Sequence, residues 1–221
     1  ARIRGADPRT ATSKVLDLFE RQQQEFGVIL NSTRVIALRP TIVEGSNALS
    51  AGIDASGLIE PSLKYLVSTK TAWINGAHFE MKWHRVAQVD NEVGKLGDLE
   101  RYAKSDVYSK REKLALELAE RMTYTSKRVT ARFFARLQTE FSDEELVELS
   151  AAIAYENFRS KFSTVFAVES NGLCSLPSVS EKTEELSADL FAIDVGAVRS
   201  SMDKDLFSDG LPHTYRARIS A

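Results

Sequence analysis

Residues 75–84 read Asn75-Gly76-Ala77-His78-Phe79-Glu80-Met81-Lys82-Trp83-His84. This stretch holds two of the three histidines in the chain. Glu80 and His84 stand four residues apart, so on a helix both side chains project from one face, a turn apart. An acid and an imidazole sharing one cavity can move protons without a cofactor. Trp73, Ile74, Phe79, Met81 and Trp83 surround them with enough apolar surface to keep such a cavity partly dry.

Working outward, nearly every periodic segment reads as helix. Before the stretch, Lys14–Phe26 carries Val15, Leu18, Phe19, Gln22 and Phe26 at helical spacing, with Ser13 as N-cap and Gly27 as the stop. Asn31–Arg39 is a second helix, and Pro40 opens a third that runs to about Ala55. Glu60-Pro61 starts a fourth, through Leu63, Leu66, Val67 and Ile74. Gly76 either breaks that helix or starts the next, which carries Glu80 and His84 to about Asp90. After it come a short helix over Val93–Lys104, then Ser109–Thr123 and Thr130–Phe141. Ser142-Asp143-Glu144-Glu145 is a capping box. It opens the longest helix, Asp143 to about Glu169, apolar on most faces and therefore central. Strand signals are nearly absent, so the expected class is all-α. The expected organisation is an N-terminal arm over 1–12, a helical domain over 13–170, and a linker with a C-terminal extension over 171–221. Within that extension only Lys182–Ile193 is amphipathic.

Lys plus Arg number 29 against 31 Asp plus Glu, which provides no field for nucleic acid or an anionic membrane surface. No apolar run approaches the roughly 18–20 residues of a membrane span. The first residues, ARIRGADPRT, lack an apolar signal core. Cys174 is the single cysteine, so neither an intrachain disulfide nor a Cys-x-x-Cys pair can form. The expectation is a cytoplasmic protein without nucleic-acid or membrane partners.

The order of several short motifs resembles the carboxymuconolactone decarboxylase and alkylhydroperoxidase-D-like superfamily. They are Gly57-Leu58-Ile59-Glu60-Pro61-Ser62-Leu63-Lys64, then Trp73-Ile74-Asn75-Gly76-Ala77, then Phe79-Glu80 with His84. Lys113-Leu114-Ala115-Leu116-Glu117, Phe141 to Leu149 and Ile153-Ala154-Tyr155-Glu156-Asn157-Phe158-Arg159 follow. The resemblance covers roughly Phe19 to Phe166 and implies a small all-α, oligomeric fold. Its peroxidase branch carries a Cys-x-x-Cys pair four residues before the histidine and a glutamate upstream. Here those positions hold Ala77, Glu80 and Tyr65. A peroxidatic reaction needs a thiolate nucleophile, and none of the three supplies one. Phe79-Glu80 with His84 resembles the decarboxylase branch, with Met81 in place of an aromatic residue.

The resemblance implies a lyase or isomerase acting by acid–base chemistry on a small carbonyl compound or lactone. His84 and Glu80 are the expected catalytic pair, with Tyr65, His78, Trp83 and Asn157 contacting substrate. The bland alternatives are a satisfied core histidine at His84, an ion pair from Glu80 to Arg85, Lys64 or, less suited because residues two apart on a helix point away from each other, Lys82, and core or subunit-interface packing for Trp73 and Trp83. His78 and His84 are six residues apart, off by about two-thirds of a turn on one straight helix. With no fourth ligand in view, no metal is expected, and no cofactor. A homo-oligomer is expected from the family and from apolar helix surface in excess of one core's need. The competing reading is a non-catalytic, regulatory or binding member that lost the peroxidase cysteines.

Overall fold

Helices form where apolar spacing and end signals agree. The computed structural model describes residues 1–77 and 93–171. Among these are eight α-helices, a 3₁₀ turn at Pro8–Thr10 and no strand. We number the helices α1 (Ser13–Phe26), α2 (Asn31–Ile36), α3 (Pro40–Ser56), α4 (Pro61–Ile74), α5 (Val93–Leu96), α6 (Lys110–Thr123), α7 (Ala131–Leu137) and α8 (Asp143–Val165). The fold is all-α. The described residues all fall within one compact unit, Ala1–Ser175, and the expected C-terminal extension beyond Asn171 lies outside them.

Several ends fall where the sequence placed them. Gly27 closes α1 at φ 71°, a conformation that costs glycine no Cβ clash. Pro40 and Pro61 occupy the first turns of α3 and α4. Ser142 and Glu145 form the capping box of α8, and Ser109 with Glu112 forms another at α6.

Other ends differ. The N-cap of α1 is Thr12, not Ser13. α2 stops at Ile36, because the N–H groups of Leu38 and Arg39 bond three residues back instead of four. The expected helix over Val93–Lys104 shrinks to one turn. Asp98 accepts from Arg101 and from Ser105 Oγ, which favours turns over a continuing ladder. α8 ends at Val165, four residues early.

Helix α4 is the hub, packing against both α6 and α8. Leu63 and Val67 of α4 meet Leu114 and Leu118 of α6, Phe133 of α7, and Leu149 and Ile153 of α8. The next side of α4 presents Leu66 to Leu99, Tyr102, Tyr108 and Leu116. A separate cluster joins Val15, Leu18 and Phe19 of α1 to Ala37 and Val43. Each buried aliphatic side chain contributes about 1.5–3 kcal/mol relative to exposure. No described helix is long and apolar enough to cross a membrane.

Candidate active site

Helix α4 leads directly toward the motif. Its C-cap is Asn75, whose N–H bonds to Thr71 O at 3.1 Å. Gly76 follows at φ 68°, and Ala77 N–H returns to Ala72 O at 2.9 Å. The glycine therefore ends the helix, settling the choice left open by the sequence. His78, Glu80, Trp83 and His84 lie outside the described residues.

Asn157, a residue expected from sequence to contact substrate, sits half-buried in the middle of α8. Its Nδ2 donates to Thr123 Oγ1 and to Ile153 O, both at 3.1 Å. Its Oδ1 accepts from Asn75 Nδ2, also at 3.1 Å. Thr123 in turn donates to Ala119 O at 2.6 Å. One amide thus ties the C-terminal ends of α4 and α6 to α8. Beside it, Glu156, Ser160 and Ser163 are buried polar residues on the central helix, and Ser160 Oγ donates to Glu156 Oε1 at 2.7 Å. The polar concentration lies where the chain leaves α4 for residues 78–84.

Tyr65 is half-buried on α4, one turn before Thr69. The Thr69 hydroxyl is buried and without a hydrogen-bond partner. Lys64, one of the sequence-based partners for Glu80, is engaged with Glu148 at 2.9 Å and with Ile53 O at 3.2 Å. Trp73 is half-buried, its ring 4.7 Å from Lys70 Nζ.

Two buried charges escaped the sequence reading. Lys70 is 1% exposed. Its Nζ donates to Leu99 O at 3.0 Å, pairs with Glu120 at 3.2 Å, and lies 4.8 Å from the Tyr102 ring. Burial pushes its pKa down, against the pull of Glu120. The only signal was a lysine placed one turn after Leu66 and one turn before Trp73. Glu148 accepts from the N–H groups of Leu58 and Ile59 at 2.8 and 3.2 Å, and from Lys64. Burial works to raise its pKa, but hydrogen bonds from Ser56, Lys64, Leu58 and Ile59 hold it at about 2. Among the described residues no three His, Cys, Asp or Glu are grouped to hold a metal.

No family model matches the chain. A curated relative, the uncharacterized protein YnjA of Escherichia coli (strain K12), is 29% identical over 121 residues. That match spans 54% of this chain and 66% of the relative. Among solved structures, the debrominase Bmp8 superposes with a TM-score of 0.68 at 18% identity, over 78% of this chain and 93% of that one. A peroxidase-related protein from Ralstonia eutropha JMP134, with an alkylhydroperoxidase AhpD core, gives 0.62 at 16%, covering 78% and 94%. A protein of unknown function from Agrobacterium tumefaciens, a putative AhpD antioxidant protein, gives 0.53 at 23%, covering 60% and 92%.

The chain has the alkylhydroperoxidase-D-like fold. Ala77, the last described residue before the motif, is buried at 6% exposure.

Proposed function

We propose that this alkylhydroperoxidase-D-like chain is a cofactor-free enzyme of the lyase or isomerase type. It carries out decarboxylation, isomerisation or elimination on a small carbonyl compound or lactone. His84 is the base and Glu80 its partner or the acid, while Tyr65, His78, Trp83 and Asn157 contact substrate. A homo-oligomer is the working assembly.

The observation that carries this reading is the polar set at the end of α4. Asn75, Asn157 and Thr123 form one hydrogen-bonded chain, with Glu156 and Ser160 beside it. Burying this many polar groups costs free energy that an apolar core would not incur. Sites of proton transfer are where such groups collect. Ala77 supports the same reading, because it offers no thiol where the peroxidase branch has one.

The test is a mass-spectrometric screen of small carboxylated lactones and keto acids against the full chain, with His84→Ala as control. Turnover should fall roughly 10²–10⁴-fold in that variant, the usual contribution of a positioned base. A variant that melts far lower yet keeps near-native turnover would make His84 a core residue and sink the proposal.

A further inference from the structure

Helix α8 presents an unusual outer face. A surface helix normally turns charges outward, as α6 does with Lys110, Lys113, Glu117 and Arg121. Between Glu144 and Lys161, the exposed residues of α8 are instead Val147, Ala154 and Phe158. Val147 is 71% exposed and Phe158 41%. Half-buried Ala151 completes the row.

The row has a strict period. Glu144, Val147, Ala151, Ala154, Phe158 and Lys161 follow one another at alternating spacings of three and four residues. That is the narrow seam by which one helix pairs with another, not the broader face a helix turns to a core. The core face of α8 is already used, with Leu149 and Ile153 in the main cluster.

The seam is complementary to itself when run backwards. Glu144 and Lys161, Val147 and Phe158, and Ala151 and Ala154 form three pairs centred on the same point, between Ala152 and Ile153. A second α8, antiparallel and turned about a two-fold axis at that point, opposes the members of every pair. Such self-complementarity is what a two-fold interface requires. Alanines at the centre let the helices approach closely, larger apolar groups flank them, and opposite charges close both ends.

The Phe158 ring is already ordered, 6.3 Å from Tyr155 and 6.0 Å from Phe162. Tyr155 Oη lies 3.3 Å from Ser46 Oγ of α3. Ile42 and Leu49, about one turn to either side of Ser46, are 46% and 51% exposed. They widen the apolar surface toward the roughly 800 Å² per partner that a stable pair buries. Exposed apolar surface of this extent marks an interaction site.

We propose that this face of α8 is a homodimer interface, an antiparallel pair of α8 helices from two copies of the chain. In it Glu144 lies beside the partner's Lys161. The inference rests on the homo-oligomer proposed above, giving it a surface and a register, and is independent of the acid–base reading.

The test is sedimentation of the full chain at low ionic strength, where charge pairs are least screened. The parent should run as a dimer or an even-numbered assembly, and Ala154→Glu at half that mass or less. Glu144→Lys and Lys161→Glu should each raise the dissociation constant about tenfold, because two pairs per dimer turn from attraction to repulsion. The double variant should return to within about threefold of the parent. Circular dichroism checks the fold of each variant. If Ala154→Glu does not fold, the charge pair decides alone. A monomeric or odd-numbered parent overturns the inference. A double variant no tighter than the singles overturns the register. An Ala154→Glu assembly of parental mass leaves the homo-oligomer standing, removes α8 from its interface and assigns the stripe to another occupant, such as residues 172–221. Turnover in His84→Ala decides the enzymatic reading separately.

Discussion

Asn75 donates to Asn157 across 3.1 Å, joining the C-cap of α4 to the middle of α8, 82 positions away. The bond fixes the direction in which the backbone leaves α4 toward the motif. Asn157→Ala removes the acceptor of Asn75 and one partner of Thr123 together. It should lower stability by about 1 kcal/mol, the net worth of hydrogen bonds lost between half-buried groups. A denaturant midpoint equal to that of the parent would show that water replaces the amide at no cost.

Glu148 predicts an acid limb. Its carboxyl is held at about 2, against an ordinary value of 4.5. The stabilisation from its ionised form is therefore complete above pH 4.5 and is lost as pH falls toward 2. The difference is of order 3 kcal/mol. Melting temperature followed from neutral pH downward should drop across that window, and Glu148→Gln should start lower and flatten the drop. Parallel curves for parent and variant would assign the acid limb to other carboxylates.

Thr69 offers a change in the opposite direction. Thr71, Thr123 and Thr164 satisfy their hydroxyls on the carbonyl four residues back, at 2.7, 2.6 and 2.8 Å. Thr69, buried like Thr71 and Thr123, has no partner among the described residues. Thr69→Val keeps the shape and removes an unsatisfied hydroxyl, so the protein should gain about 1 kcal/mol. A lower melting temperature would mean that the hydroxyl is satisfied in solution.

The redox expectation concerns activity. Cys174 is the single cysteine and no Cys-x-x-Cys pair exists, so thiol-dependent peroxidase turnover of an alkyl hydroperoxide should be absent. Turnover that disappears in Cys174→Ser would contradict this and move attention to that thiol.

Local signals carried most of the helical plan. Pro40, Pro61, Gly27 and the Ser142–Glu145 box mark ends with chemistry that acts within a few residues, so they are legible in a string. The failure over Val93–Lys104 has the same local scale. Asp98 recruits Arg101 and Ser105 and bends the chain, a competition that apolar spacing does not weigh. The candidate site was less legible. Asn157 stood out as an amide in the central helix, but its partners come from α4 and α6. Lys70 and Glu148 look like ordinary surface residues of amphipathic helices. Only tertiary packing turns them inward, Lys70 between two aromatic rings and Glu148 beneath the backbone of residues 58 and 59.

The enclosure of Lys70 also makes it a chemical clock. An amine is acylated only when a reagent can reach it, and this one lies sealed among Leu99, Tyr102, Trp73 and Glu120. Lys14, Lys110 and Lys127, at 72%, 70% and 45% side-chain exposure, react from the closed state. Acylation of Lys70 must wait for α4 to part from α6 and the 99–102 turn. Its labelling rate in dilute, water-soluble reagent therefore counts the openings of the bundle's hub, which otherwise leave no trace in the folded population.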